Sequence, residues 1–493
     1  MSKPFRLFSL LALLALSAVV ALGQDIEATI EIDFRTPIVT VRGRYASGAN
    51  NPARRNLAFL RTIAGMDNLA SRVSGLSLRD SADKPVTFRK LMDGEYLSDA
   101  DFARWTYQVD LTPPRNRNAA AHVSWLADGT GILMLADLLP RFGAKGTSAR
   151  ITFNTLNNTV GASPPPIFWS EPNSGPLVEV ADTEDAVFYV GEGWVTMPNT
   201  FPGRLALSGK WNFKGADALG MAKEITDRYV KLFGSNTDGR PFIAIANFPV
   251  PTTHGVWQAE TRGNNVTIIS SDMPFRTQSL QRLHEQLRHE IFHLWIPNGV
   301  NLTGNYDWFY EGFALYESLK LAVALNRIRF EDFLDTLSRA HTIDSAGSQR
   351  TSLIQMSASR FSGANTQVYA RGMLVGFLCD LAMLQQSKGK RSVDDLLKEL
   401  FVKHRKPAAP ADGNTAIVAL LKANPHLISI VERYIAGADK LEWTSELAGA
   451  GIEDSDAGPL TSLRVREKLS GRQKDLLDKL GYNNWRKLSP TSK

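Results

Sequence analysis

The period of the hydrophobic pattern changes once along the chain, near residue 215. Before that point, short segments such as IVTVRGRY and RWTYQVDL alternate or are rich in β-branched residues, and clusters of Gly, Pro, Asn and Asp separate them. After it, apolar residues recur every three or four positions over long segments, the first of them at 216–234. This order of periods predicts an α+β multidomain protein with its strands in front and its helices behind.

The chain begins with a segment typical of a signal peptide. Lys3 and Arg6 precede an apolar run over 7–22, and small residues stand just before Gln24. The run is shorter than the about 20 apolar residues of a membrane-spanning helix, so we predict cleavage, with an uncleaved anchor as the alternative. No later segment is predicted to span a membrane. The sequence therefore predicts an exported protein, either secreted or periplasmic.

Strand-like and helical segments divide the rest of the chain. Two strand-like runs, at 240–251 and 264–273, lie between the first helical segment and the later ones. The predicted organisation is a signal peptide at 1–23, a β-rich sandwich or saddle domain at 24–210, an α+β catalytic domain at 211–345, a helical domain at 346–448, and a polar C-terminal tail with one helix at 449–493.

Charge and cysteine content narrow the possible partners. The formal charge of +6 is mild for 493 residues, and no dense run of Lys and Arg is present, so nucleic acid is not expected as a partner. The single cysteine, Cys379, cannot form an intrachain disulfide. Nothing in the sequence indicates an oligomeric state.

The most specific motif is RHEIFHLW at 288–295. His289 and His293 lie four residues apart in a segment of helical period, so both imidazoles project from one face. This spacing lets two nitrogens reach one metal ion at about 2 Å. Glu290, rotated by about 100° from its neighbour, can reach a water molecule at the metal as a general base. This is the H-E-x-x-H arrangement, although an ordinary amphipathic helix could also carry two histidines.

Catalytic zinc sites need a third protein ligand and an open position for water. Glu311, in the segment WFYEGFALYES, follows His293 by eighteen positions and opens a predicted helix that can pack on the first one. Asp307 and Glu317 are the competing carboxylates. Asp307 precedes the helix, and Glu317 lies six residues after Glu311, where it faces another direction.

The combination of HEIFHLW and WFYEGFALYES resembles the gluzincin metallopeptidases, whose third zinc ligand is a glutamate in a W-x-x-E-G-F segment. Two families compete, the aminopeptidase N-like and the glycyl-aminopeptidase-like enzymes. The stretch at 368–400, VYARGMLVGFLCDLAMLQQSKGKRSVDDLLKEL, is most similar to the glycyl-aminopeptidase-like family, with its Y-x-K-G-x-L helix, leucine–aspartate pair and S-x-D-D-L-L segment. The motifs together cover about residues 285–400.

The resemblance implies a thermolysin-like catalytic domain, a peptide substrate, and Zn²⁺ bound by His289, His293 and Glu311. It also implies that Tyr369 donates a hydrogen bond to the tetrahedral intermediate, with Arg371 in place of the commoner lysine. These families carry a Gly-rich segment before the zinc helix that lines the cleft and can hold the amino terminus of the substrate. The corresponding stretch here is THGVWQAETRGNNV, in which the spacing differs. Its candidate substrate-binding residues are Gly255 and Glu260.

The predicted function is therefore that of an exported zinc metallopeptidase, an aminopeptidase by resemblance. Two alternatives remain open at this stage. One is an inactive pseudo-peptidase that keeps the fold. The other is an exported binding protein whose metal serves structure, although a structural zinc site has four protein ligands and gives Glu290 no role.

Overall fold

The structure of the protein is a computed structural model. It describes residues 25–46, 55–142, 147–156, 167–168, 177–198, 201–235, 237, 239–347, 351–362, 364–455 and 462–484. The predicted signal peptide at 1–23 lies outside these residues.

Strands dominate up to residue 208 and recur at intervals after it. Within the described residues, strands β1 to β23 are, in chain order, Ile26–Ile32, Ile38–Tyr45, Asn56–Ala58, Val73–Arg79, Pro85–Val86, Phe88–Met92, Glu95–Ser98, Arg104–Asp110, Trp125–Ala127, Thr130–Met134, Ala149–Thr155, Ile167–Phe168, Leu177–Val180, Val187–Gly191, Trp194–Thr196, Arg204–Ser208, Phe242–Ala246, Trp257–Arg262, Asn265–Ser270, Leu302–Thr303, Ala411–Asp412, Ile452–Ser455 and Ser462–Val465.

Helices dominate the second half, as the change of period predicts. Within the described residues, helices α1 to α12 are, in chain order, Leu135–Leu138, Gly215–Phe233, Arg276–Phe292, Asp307–Ala324, Phe330–Ser345, Leu353–Ala358, Asn365–Ser387, Val393–His404, Gly413–Lys422, Ile428–Ile430, Thr444–Ala450 and Gly471–Lys479. Residues 425–435 form a run of three short pieces, with a 3₁₀ turn before α10 and a π-helical turn, Val431–Ile435, after it.

The front of the molecule is built from sheets that share one core. A seven-stranded sheet has the order β13-β11-β1-β2-β8-β4-β5, and a four-stranded sheet has the order β12-β14-β10-β9. Buried and less buried residues alternate along β1 because successive side chains of a strand point to opposite faces. The inward residues Ile30 and Val41 of the first sheet pack in one cluster with Leu133 and Phe188 of the second. The predicted β-rich front is confirmed.

A five-stranded sheet of order β15-β16-β17-β19-β18 carries the functional region. Strands β16, β17 and β19 are parallel, and β17 is buried along its whole length, as expected for the centre of a sheet covered on both faces. Strand β18 runs antiparallel along the edge. The predicted domain boundaries at 210, 345 and 448 stay predictions, but the first of them cuts this sheet between β16 and β17.

Helices α3, α4 and α7 meet at the centre of the second half. Their apolar residues form one continuous core with α2 and with the inner face of the five-stranded sheet. Among the described helices, only α7 is long and apolar enough to cross a membrane. In its apolar 18-residue stretch, 83% of the residues are buried inside the protein. A core helix meets the same criteria, and the burial of α7 identifies it as one.

The C-terminal segment contains more regular structure than the predicted polar tail with one helix. The predicted helix is present as α12, but β22 and β23 form an additional antiparallel hairpin. Ile452, Leu463 and Leu477 are buried in the main core. Single apolar residues in a polar stretch give no clear period, which is why the sequence does not reveal the hairpin.

Candidate metal centre and active site

Helix α3 carries His289 of the motif, and His293 follows directly after its last residue, Phe292. Its apolar side, with Leu287 and Ile291 fully buried, packs into the core. His289 and His293 project together, and their Nε2 atoms lie 3.2 Å apart. The Nδ1 atom of His293 lies 3.0 Å from the carbonyl oxygen of Ile296. Since a carbonyl only accepts, Nδ1 carries a hydrogen, and in the neutral ring Nε2 is then the nitrogen with a lone pair for a metal ion.

Glu311 approaches the two histidines from the first turns of α4. Its Oε2 atom lies 3.2 Å from Nε2 of His289 and 3.5 Å from Nε2 of His293. All three side chains are buried, and their donor atoms lie within 4.8 Å of one another, the single set of this kind among the described residues. Burial alone would raise the pKa of Glu311, but hydrogen bonds with the histidines and the charge of Arg360 hold that pKa well below its usual range.

This donor set fits Zn²⁺. Two neutral imidazole nitrogens and one carboxylate oxygen, with room for water or substrate, make up the ligand set of many catalytic zinc sites. The competing carboxylates are engaged elsewhere. Asp307 accepts a hydrogen bond from Nη1 of Arg360 at 2.7 Å, and Glu317 accepts one from Lys320 at 3.4 Å. Of the three candidates, Glu311 is the carboxylate that the structure brings to the histidines.

Glu290 lies beside the histidines and faces the edge strand β18. It is 4% exposed and lines the same cavity as His289 and His293. Its Oε2 atom accepts a hydrogen bond from the hydroxyl group of Thr261 at 2.8 Å. Burial raises the pKa of Glu290 above its usual value. A buried carboxylate beside a metal site is suited to accept and release a proton.

Two glycines let Tyr369 reach the candidate ligands. Gly312 follows the third ligand in α4, and Gly372 follows Tyr369 by three residues in α7. A Cβ atom at Gly312 would lie 2.4 Å from the Cα atom of Gly372, so the two helices cross in direct backbone contact. The ring centre of Tyr369 consequently lies 6.4 Å from that of His289. Burial raises the pKa of the Tyr369 phenol well above its usual value, which keeps it protonated.

Arg360 also lies at the candidate metal centre, although it was not predicted there from the sequence. It lies in a 3₁₀ turn, Arg360–Ser362, between α6 and α7, and its side chain is 12% exposed. Its guanidinium reaches Asp307, Glu311 and Tyr369. A lone arginine in the polar segment SASRFSGAN carries no periodic or motif signal, so only the structure reveals its position.

Glu260 lies on β18 and faces the cavity. Its Oε1 atom accepts a hydrogen bond from Nε of Arg262 at 3.3 Å, and its Oε2 atom contacts Nδ1 of His122. Burial alone would raise the pKa of Glu260, but Arg262 and His122 outweigh it and bring the pKa to about 2. Gly255, its predicted companion, lies in the turn before β18 with φ of 78° and is not among the residues that line the cavity.

The cavity that contains these groups has a volume of about 1100 Å³. One wall comes from the N-terminal region, which supplies the turn at 62–65 and His122, and the opposite wall comes from α3, α4 and α7. Two guanidinium groups, those of Arg262 and Arg360, line it. Seven carboxylates line the same cavity: Asp67, Glu184, Asp185, Glu260, Glu290, Asp307 and Glu311. The lining therefore favours a cationic ligand.

Neither a protein-family model nor a curated protein sequence matches this chain. Solved structures match its fold. An aminopeptidase N family protein from Idiomarina loihiensis has a TM-score of 0.71 at 15% identity, covering 91% of this chain and 82% of that one. An M1 zinc metallopeptidase from Deinococcus radiodurans, a mutant bound to the substrate Tyr-Ser-Ala, has a TM-score of 0.52 at 16% identity, covering 84% and 94%. Yeast LTA4 hydrolase has a TM-score of 0.50 at 14% identity, covering 86% and 67%.

At these identities the comparison establishes the fold. The chain has the mixed α+β architecture of the M1 zinc metallopeptidases, with sheets in its N-terminal part and helices in its C-terminal part. The predicted likeness to gluzincin peptidases is confirmed at this level. These neighbours are of the aminopeptidase N type, the second of the two families considered, and the more specific resemblance to glycyl-aminopeptidase-like enzymes stays a prediction.

Proposed function

We propose that this protein is a zinc-dependent metallopeptidase that removes residues from the amino terminus of peptides. The observation that carries the proposal is the convergence of His289, His293 and Glu311 on one point, with Glu290 beside them in a large cavity. Two histidines and one glutamate leave a coordination position for water or substrate, which a structural zinc site with four protein ligands does not.

Zn²⁺ bound by these three residues supplies Lewis acidity, which polarises a carbonyl group and lowers the pKa of a water molecule. Glu290 accepts the proton of the attacking water and delivers it to the leaving amine. Thr261 holds the Glu290 carboxylate through its hydroxyl group. Tyr369, which stays protonated, donates a hydrogen bond to the oxygen on which negative charge develops.

Three observations support action at the amino terminus. The excess of carboxylates in the cavity favours the α-ammonium group of a peptide. Glu260 is ionised at neutral pH on the edge strand, and Arg262 and His122 fix its orientation. The Deinococcus neighbour was solved with Tyr-Ser-Ala as substrate. Glu260 is therefore our candidate for the group that binds the substrate amine.

Two wider features belong to the same proposal. The five-stranded sheet followed by α3 and α4 supports a thermolysin-like catalytic domain within 211–345. Export to the periplasm or outside the cell is proposed from the charged start and apolar run of residues 1–23 alone.

The proposal is tested by measuring zinc content together with the cleavage of peptide pairs that differ only in a free or acetylated amino terminus. We expect about one zinc ion per chain, cleavage of the free peptides only, loss of activity with a chelator, and recovery with zinc. Cleavage of both members of a pair would make the protein an endopeptidase. Zinc without any cleavage would favour a structural metal or an inactive relative, and a protein that takes up no zinc would contradict the proposal.

A further inference from the structure

The guanidinium of Arg360 bridges residues of two helices at the candidate metal centre. Nη1 donates to Oδ1 of Asp307 at 2.7 Å, and Nη2 lies 2.9 Å from Oε1 of Glu311. Nη2 also donates to the phenol oxygen of Tyr369 at 2.5 Å, and Nε donates to Asn365 at 3.1 Å. A planar guanidinium with this many acceptors has one orientation, because its donors are fixed relative to one another.

The two oxygens of the Glu311 carboxylate have different partners because Arg360 contacts only one of them. Oε2 faces the histidines, at 3.2 Å from His289, while Oε1 is held by Arg360 on the opposite side. The ion pair with Arg360 holds Oε1 away from the histidines, so Oε2 is the oxygen placed to bind a metal. Groups that bind the far side of a ligand in this way set its orientation and its strength as a ligand.

The same guanidinium sets the role of the Tyr369 hydroxyl group. A guanidinium has donors and no acceptor, so its hydrogen bond to the phenol occupies an oxygen lone pair and not the phenol hydrogen. The guanidinium also lies over the Tyr369 ring, 5.1 Å from its centre. The phenol hydrogen is therefore available to a different acceptor, and a hydrogen bond with the Glu311 carboxylate contributes to the raised pKa of Tyr369.

We propose that Arg360 is a positioning residue of this centre, which makes Glu311 a one-oxygen metal ligand and fixes the position of the Tyr369 hydroxyl group. The inference rests on the proposed function, because it assumes that a divalent metal binds at the two histidines and Glu311. It adds a residue that the motifs do not contain, and it links the third ligand to the tyrosine through a single side chain.

The consequence for the metal can be measured without substrate. In Arg360→Gln, the released Oε1 atom of Glu311 can turn to the metal, and the coordination number rises above four. With Co²⁺ as the probe on metal-depleted protein, the visible absorption per cobalt ion weakens as the coordination number rises. Arg360→Lys keeps the positive charge but loses the planar guanidinium with its several fixed donors. We therefore expect the cobalt absorption to weaken less in this variant than in Arg360→Gln.

The experiment compares Arg360→Gln and Arg360→Lys with Arg391→Gln, a matched change at an exposed arginine whose partner Glu399 lies 3.8 Å away. Far-UV circular dichroism of each variant checks the fold, and if Arg360→Gln does not fold, Arg360→Lys decides. In Arg360→Gln we expect a weaker cobalt spectrum and a fall in kcat of about 10- to 100-fold, with little change in KM. Both effects should be smaller in Arg360→Lys and absent in Arg391→Gln. The losses of kcat caused by Arg360→Gln and by Tyr369→Phe are expected to be less than additive in the double variant.

The outcomes separate the two proposals. If the wild-type protein takes up no cobalt or zinc, the proposed function fails, and this inference fails with it. If the wild-type protein binds metal but Arg360→Gln has the spectrum and the kcat of Arg391→Gln, the inference about Arg360 alone is wrong. If the spectrum changes while the wild-type protein cleaves no peptide, the ligand role of Arg360 stands and the peptidase function does not.

Discussion

The hydroxyl group of Thr261 lies 2.8 Å from Oε2 of Glu290 and 3.1 Å from the carbonyl oxygen of the same residue. Thr261 belongs to the edge strand β18, and Glu290 belongs to α3, so this contact connects the strand that lines the cavity to the helix that carries the proposed base. The position of the base therefore depends on both elements.

Replacing Thr261 with valine is expected to lower kcat/KM about tenfold, because a hydrogen bond to a charged group contributes roughly 1.5–3 kcal/mol and this one orients the base. Thr261→Ser keeps the hydroxyl group and is expected to keep most of the activity. Steady-state kinetics of both variants provide the check. Equal activity in Thr261→Val and the wild-type protein would show that the contact has no catalytic role.

Glu260→Gln is expected to reduce the preference for peptides with a free amino terminus. A charge-assisted hydrogen bond to the substrate amine is lost, so kcat/KM for free peptides should fall about tenfold or more, while any cleavage of acetylated peptides is unchanged. The control is Glu179→Gln on β13, where the side chain is 63% exposed. If Glu260→Gln lowers both rates equally, the residue has a structural role rather than a role in amine binding.

Gly372→Ala is expected to destabilise the protein by about 1–3 kcal/mol and to lower kcat. A Cβ atom there would lie 2.9 Å from the Cα atom of Gly312, so α4 and α7 must separate, and Tyr369 moves away from the ligands. Gly220→Ala in α2 is the matched control, because its Cβ atom would meet nothing within 4 Å. That change should stabilise by up to about 1 kcal/mol through helix propensity. Thermal unfolding and kinetics of both variants distinguish the two effects.

Stability is expected to fall as the pH rises through the titration of Glu317. Burial, together with Asp394 and Asp380, raises the pKa of Glu317 from its usual 4.5 to about 8, despite the charge of Lys320. The folded state thus binds this proton more tightly than the unfolded state. Its stabilising contribution is complete below pH 4.5 and is lost as the pH rises through about 8.

Glu317→Gln carries no titrating proton at this position and is expected to lose less thermal stability than the wild-type protein between about pH 6 and pH 9. Thermal unfolding of the metal-saturated proteins tests this. The control is Glu399→Gln, where the side chain is 54% exposed. Parallel loss of stability in the wild-type protein and Glu317→Gln would contradict the assignment.

The candidate metal ligands could be predicted from the sequence because their geometry is local. Two histidines four residues apart on a helix share a face whatever the tertiary structure, and Glu311 follows in a segment that begins the next helix. The strands and long helices were predictable for the same reason, since their periods are local. Gly255 is not among the residues that line the cavity, and its predicted role in substrate binding stays a prediction.

The residues that complete the site were not predictable, since their partners are far away along the chain. His122 meets Glu260 across 138 residues, and Arg360 meets Asp307 across 53. No period or spacing encodes such pairs. Gly312 and Gly372 are an intermediate case. The sequence shows them within the motif segments E-G-F and R-G-M, but only the crossing of α4 and α7 explains why these positions are occupied by glycine.

The central claim, that Glu290 acts as the base of a zinc peptidase, is tested most directly by comparing Glu290→Gln with the wild-type protein for zinc content and peptide cleavage. Glu285→Gln, an exposed change on the same helix, serves as the control. We expect unchanged zinc binding and folding in Glu290→Gln, with kcat reduced by about 10²- to 10⁴-fold, the range associated with general base catalysis. Full cleavage activity in Glu290→Gln with zinc bound would contradict it.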